Sequence, residues 1–509
     1  MRGMSRPICL VLIASAVAAG CGGAGDTAPA VNGIGLQTPN SPLVTLRVTF
    51  ETGSVDDPVG KNGLNALTAL MIGRGGTASV TYQELTTALY PWAASIGAQH
   101  DKEVTTIIGE VHRDHLEPFY EIFRDLIVAP RLDTADFERN RDFLTNAIVS
   151  TLRGNDDEEL GKQTLNALLY DGHPYEATEM GTERGLASIT DDDVSAFHAE
   201  RYTADNMLVG VAGGYPDGFL ERVEGDLAAA LPAAGTGGDD GALPPPRAVE
   251  GRELLLVEKD AIATAISIGF PIEITRADDD FYPLMVANSY FGEHRTFNGR
   301  LMNQMRGLRG LNYGDYSYIE NFIQDGGSTF PVPNTPRRQQ FFSIWIRPVP
   351  HHNAAFALRQ AVRELALLVE NGLSQEDFEA TRDYLVNYSK LYVQTTSRRL
   401  GYAMDSRFYE TEFFIDEIRS RLEALTVDEV NAAIRRYLQA DNLAIAVVTR
   451  DAEAFRDELL SGEPSPVAYN TAVGDEILAE DEAIKPYPLA INPDRVRVVP
   501  VEEMFVDVS

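Results

Sequence analysis

The 509-residue sequence predicts an α+β protein built from two homologous mixed α/β domains. Three observations carry that reading. A period-two run, Leu43 to Phe50 (LVTLRVTF), passes through the turn Gly53 to Gly60 into an apolar stretch at helical spacing, Asn62 to Gly73 (NGLNALTALMIG), giving strand, loop and helix. Asp136-Phe137-Glu138 with Arg141-Asp142-Phe143-Leu144 returns, at identical spacing, as Asp377-Phe378-Glu379 with Arg382-Asp383-Tyr384-Leu385. Leu186 to Ala212 is echoed by Leu422 to Val447 with one residue less, so one supersecondary unit is used twice.

Taken in order, Arg2 and Arg6 precede an apolar run, Ile8 to Ala19, that ends in Val17-Ala18-Ala19-Gly20-Cys21. A basic start, a short apolar core and small residues before a cleavage site read as a signal peptide over residues 1–20. Cys directly after Ala-Gly resembles a bacterial lipobox, which makes Cys21 the expected lipidation site and places the chain in the cell envelope. Gly22 after it, rather than Asp, favours the periplasmic face of the outer membrane over the inner. Residues 21–42, rich in Gly, Ala, Pro and Asn, read as a flexible tether. Cys9 and Cys21 are the only cysteines, so the folded part has no thiol for a disulfide, a nucleophile or a metal.

The first domain is expected over residues 43–232. In the leading helix Asn62 is the expected N-cap and Gly73 the residue past its end, with Leu64, Leu67, Leu70 and Met71 on one face. Thr81 and Glu84 form a capping box, Val104 to Val111 alternates as a strand, and His115 to Val128 has amphipathic spacing. A second long helix starts at Asp133 or Thr134 and runs to about Leu152. Leu186 to Tyr202 reads as a further helix, and Met207 to Ala212 as the strand that closes the unit. Residues 233–247 (AAGTGGDDGALPPPR) have linker composition, residues 248–460 repeat the plan, and residues 461–509 form an extension whose alternating Val496 to Val508 is broken by Pro500.

A formal net charge of −33, from 76 acidic and 43 basic side chains, argues against nucleic acid and against adsorption to anionic headgroups. Several residues that imitate sites are better explained otherwise. His112, His115 and Glu117 lie where a strand hands over to a helix, and His351-His352 starts a helix with no carboxylate at ligand spacing. Gly73 to Gly76 lacks the Lys and Ser/Thr of a phosphate loop, and His198 with Glu200 has no PCxxC beside it.

The strand, the GSVDDPVGKNGL turn and the short apolar helix resemble the insulinase/pitrilysin (inverzincin) family of zinc peptidases in its two-domain dimeric branch. His173-Pro174-Tyr175 with Gly181-Thr182 resembles that family's HPY…GT loop. The resemblance spans about Leu43 to Arg450. It implies sheets with helices packed on one face and a chain that forms half of a clamshell. The family helix carries HxxEH, two zinc-binding His and a Glu that activates water; the corresponding positions here are Ala66, Ala69 and Leu70, and the third ligand position falls on Ala147. The resemblance therefore implies no metal and no catalytic residue in this chain, with zinc expected in a partner subunit. In the second domain Arg300-Leu301, Arg306, Gly310-Leu311 and Tyr313 resemble the RLxxxLRExxGLxY element, whose Arg and Tyr face the zinc site. Arg306 and Tyr313 are thus the substrate-binding candidates, with Arg309 as the fallback for the Arg. The implied function is a non-catalytic subunit paired with an HxxEH-bearing relative and acting on peptides. A purely structural or binding lipoprotein on the same fold is the alternative, and a protease with relocated ligands a third reading.

Overall fold

A computed structural model describes residues 33–508 except 236–241, 295, 297 and 327. The signal-like run and Cys21 lie outside the described residues. The strands are β1 (Ile34–Gln37), β2 (Leu43–Phe50), β3 (Gly76–Thr77), β4 (Val80–Thr81), β5 (Ser95–His100), β6 (Thr105–His112), β7 (Met207–Gly213), β8 (Arg252–Glu258), β9 (Thr264–Ile272), β10 (Asp315–Tyr318), β11 (Gln340–Val349), β12 (Leu443–Thr449) and β13 (Ile491–Pro500). They form a five-stranded sheet in the order β1-β7-β2-β6-β5, a six-stranded sheet in the order β10-β11-β9-β12-β8-β13, and a small β3-β4 ribbon.

The two sheets share one topology. In the first, β1 runs parallel to β7, and β2, β6 and β5 follow antiparallel. In the second, β8 runs parallel to β12, and β9, β11 and β10 follow antiparallel. The internal repeat is thus a repeat of fold. It also assigns β1, which composition places within the tether. Ile34 is buried, and the strand gains its place through backbone pairing with β7, which requires only one inward apolar side chain.

Several local expectations are refined. The leading helix is Leu64–Arg74, capped by Gly63 in the left-handed region rather than by Asn62, and it runs through Gly73 to Gly75. Leu186 to Tyr202 is two helices, Glu183–Ser188 and Asp191–Arg201, the second opened by a Thr190/Asp193 capping box. The long helix from Thr134 is α-helical to Asn146 and then becomes a π-helical stretch, Ala147–Leu152. Among the described residues no helix is long and apolar enough to cross a membrane.

Each sheet carries its main helical layer on one face, where the two large cores lie. The other face receives one helix from the opposite half. Helix Asp157–Leu169 of the first half packs on β9 and β12, and helix Thr396–Phe408 of the second packs on β7 and β1. Small residues admit them: Leu165 and Leu168 meet Ala444 and Ala446, while Leu400 and Met404 meet Ala212. A Cβ on Gly210 would sit 2.7 Å from the Met404 sulfur, so only glycine leaves room for that helix.

The C-terminal extension wraps onto both halves. β13 adds to β8 in parallel, and the chain then crosses to the first half, where Glu183 N donates to Phe505 O at 3.0 Å and Arg184 N to Val506 O at 2.9 Å. Met504 and Phe505 enter the first half's core. A buried ion cluster also joins the halves: Arg337 meets Asp101 and Glu179, and Lys102 meets Glu179.

Candidate functional site

The Leu64–Arg74 helix is buried from Leu64 to Gly73, between β5 and the helices Thr134–Asn146 and Asp191–Arg201. Its first turn is held from outside. The Asp57 carboxylate accepts from Gly63 N at 2.6 Å and Asn65 N at 2.7 Å, taking the role expected of Asn62. Burial pushes that carboxyl up to about 7, against the two backbone donors. Thr182 N donates to Asn62 O, and a Cβ on Gly181 would stand 2.3 Å from that same oxygen, so the GT step of the HPY…GT loop braces the helix entry.

On this braced helix Ala66 and Ala69 are fully buried and Leu70 nearly so, while Ala147 is half-buried at the start of the π-helical stretch. Zinc needs nitrogen, sulfur or oxygen ligands, and three methyls and an isobutyl group supply none. Among the described residues no group of three or more His, Cys, Asp or Glu stands close enough to hold a metal. The residues at the family's metal position do not fit zinc.

The second-half element is built differently. Arg306 lies in another π-helical stretch, Met302–Gly307, a geometry often found where a side chain has been re-aimed for function. Gly310, at φ +61°, turns the chain, and buried Leu311 anchors it. Tyr313 follows on the surface with 68% of its area exposed. The Arg306 guanidinium lies over the Tyr313 ring, 4.7 Å from its centroid, and the Arg347 guanidinium lies over the same ring at 5.2 Å. Arg347 comes from β11 and is held by Glu158 at 2.7 Å. Glu158 also pairs with Lys162 at 3.0 Å, and the Lys162 ammonium sits 3.9 Å from the Trp345 ring centroid. Arg347 and its Glu158 anchor were not found from sequence, because nothing near either in the chain marks them.

Arg309, the fallback, is buried and bound by Asp481 at 3.0 Å and Glu480 at 2.8 Å of the extension's helix Asp475–Ile484. It ties the extension to the second half and cannot reach a substrate. The other imitators are also structural. His112 caps a short turn through Asp114 N, and His115 stacks on Trp92. His198 bonds Ile127 O at 2.8 Å, and His351 bonds Thr264 at 2.8 Å and Ala261 O at 3.1 Å.

Behind Tyr313, burial pushes the Asp315 carboxyl from the usual 3.8 up to about 8, opposed by Asn312 and Arg347. Between those values the folded chain holds a proton that the unfolded chain has shed. This group's contribution to stability is therefore complete below pH 3.8 and lost as pH rises towards 8. The Asp315→Asn variant should gain stability relative to the parent between pH 5 and pH 8 in urea denaturation; an unchanged difference would show that the carboxyl is ionised throughout.

Residues 35–183 match the family model described as insulinase (peptidase family M16), and residues 188–385 match that of the peptidase M16 inactive domain, together more than half of the chain. An uncharacterized zinc protease of Bacillus subtilis (strain 168) is 22% identical over 433 residues, covering 82% of this chain and 96% of that protein. The crystal structure of a peptidase M16 inactive domain from Pseudomonas fluorescens superposes with a TM-score of 0.72 at 21% identity, over 82% of this chain and 95% of that one. A chain of complex III2 from Candida albicans does so with a TM-score of 0.63 at 13% identity, over 84% and 97%. With both halves matched and the metal positions apolar, the chain belongs to the insulinase/pitrilysin family of peptidases, as a member of the non-catalytic type.

Proposed function

We propose that this chain is the non-catalytic, substrate-binding subunit of a heteromeric zinc metalloendopeptidase acting on peptides in the cell envelope, tethered there through lipid on Cys21. The observation that carries the proposal is a contrast within one molecule. Every metal-ligand position is a hydrocarbon side chain, while Arg306 and Tyr313 stand together with the phenol in solvent. A scaffold alone has no use for an exposed Tyr stacked under a guanidinium. A peptide-binding face has one: the guanidinium is a planar fork of donors, and the phenol can donate to a carbonyl oxygen as it gains charge. β5, at the open end of the first sheet and beside the Leu64–Arg74 helix, offers unpaired backbone groups to an extended peptide. Zinc and the water it activates belong to the partner, an HxxEH-bearing relative.

Purifying the tagged chain from its native membranes tests this. The expected result is a stoichiometric HxxEH-bearing relative, peptide hydrolysis by the pair, and a lipid-modified Cys21 at the N-terminus by intact mass. In the reconstituted pair Arg306→Ala or Tyr313→Phe should lower kcat/KM by about 10²- to 10³-fold, the usual effect of removing one donor to developing charge. A lone chain or homodimer without hydrolysis would instead favour a structural or binding lipoprotein. Zinc bound stoichiometrically to this chain alone, with hydrolysis, would overturn both.

A further inference from the structure

We infer that Glu158 and Arg347 are positioning residues for Tyr313, so that an acid of the first half sets where the second half presents its phenol. The inference rests on the peptide-binding reading above and deepens it, because it says what holds the ring in place.

Tyr313 needs holding. It lies in the irregular stretch between the π-helical Met302–Gly307 and β10 and is 68% exposed, and a side chain so placed samples several rotamers unless its neighbours fix it. A phenol that is to meet developing charge gains from being fixed beforehand, since a misplacement of about 1 Å costs on the order of 10²-fold in rate. Arg306 comes from the turn just ahead in the chain, so it ties the ring only to its own segment.

Arg347 ties the ring to the sheet. It belongs to β11, which lies between β10 and β9, and it meets the Tyr313 stretch at three points. Asn312 Nδ2 donates to Arg347 O at 3.0 Å, Arg347 N donates to Gly314 O at 3.3 Å, and the guanidinium lies over the ring of the residue between them, 5.2 Å from its centroid. That guanidinium is itself held: Nε donates to Glu158 at 2.7 Å, and the side chain also hydrogen-bonds the buried Tyr316.

Glu158 is 189 positions from Arg347 and is a firm anchor for it. It stands in the first turn of helix Asp157–Leu169, the helix that the first half packs on β9, β12 and β11. Its side chain is 12% exposed, and its other oxygen meets Lys162 at 3.0 Å, whose ammonium sits on the Trp345 ring. Burial would raise the Glu158 pKa, but Lys162 and Arg347 leave it lowered; burial would lower that of Arg347, but Glu158 leaves it raised. Both partners are therefore charged, in a place where solvent screens them less than it screens a surface pair.

The test reads Tyr313 directly, through 3-fluorotyrosine placed at position 313 of the purified full-length chain and followed by fluorine NMR at a temperature where each variant is folded. Glu158→Gln and Arg347→Gln should each shift or broaden the resonance. Arg347→Lys, which keeps a cation for Glu158 but loses the flat group over the ring, should fall between them and the parent. Arg419→Gln, which breaks an exposed ion pair with Glu423, should leave the resonance in place. In the reconstituted pair Glu158→Gln should lower kcat by about 10- to 100-fold with KM nearly unchanged, and should add nothing to the loss in Tyr313→Phe, because both act through one phenol. An unmoved resonance in both Gln variants, an equal change in Arg419→Gln, or losses that multiply in the double variant overturns the positioning role. A resonance that moves as expected in a chain that supports no peptide hydrolysis upholds the brace and overturns the peptide-binding reading alone.

Discussion

Ending the chain at Gly462 should abolish cooperative folding, although every residue of the two repeated units up to that point remains. The extension buries Ile484, Leu489, Ile491, Met504 and Phe505, each 8% exposed or less. At about 1.5–3 kcal/mol per buried apolar side chain the gross loss is roughly 10 kcal/mol, as large as the whole net stability of an ordinary domain. Two further costs follow. Arg309 would lose both its acids, Glu480 and Asp481, and β8 would become an open edge. Calorimetry of the truncated chain should show no sharp transition, with strong dye binding to exposed apolar surface. A cooperative melt within a few degrees of the parent would mean that the extension is an appendage.

Arg337→Met should cost about 3–5 kcal/mol, far more than removal of a surface ion pair. The guanidinium meets both Asp101 oxygens, at 3.0 and 2.6 Å, and Glu179 at 2.8 Å, in a place where Asp101 and Lys102 have no exposed side-chain area. Burial alone would lower the pKa of Arg337; Asp101 and Glu179 overcome that and leave it raised. Methionine fills most of the volume, so the loss reflects Asp101 stripped of its guanidinium and Glu179 left with Lys102 alone in the seam between the halves. Urea denaturation of the single variants and of Arg337→Met with Asp101→Asn should show that the second change recovers part of the loss. A cost under 1 kcal/mol for Arg337→Met would mean that water reaches the cluster.

The parts legible in the sequence were those set by neighbours in the chain. Alternation from Leu43 to Phe50 gives β2 with its predicted bounds, and Thr81 with Glu84 makes the capping box it announces. The capping box closes its hydrogen bonds within three residues, and β2 is long enough for its alternation to mark it although its partners, β6 and β7, lie far along the chain. β1 was missed because a four-residue edge strand is defined by its partner, β7, some 170 positions away. The Asp57 cap was missed because its carboxylate reaches two backbone N–H groups from a loop, and Arg309 was misjudged because its acids lie more than 170 positions later.

By itself the sequence determined the repeated α+β unit, the apolar side chains at the zinc positions, and the pairing of an Arg with a Tyr seven residues on. These are facts of residue identity and local periodicity. Only the tertiary structure decided that each half lends a helix to the other's sheet, that residues 461–508 strap the halves together, and that Arg347 joins Arg306 over Tyr313. Those arrangements arise from burial, and burial is settled by which distant surfaces meet, which no short window of sequence records.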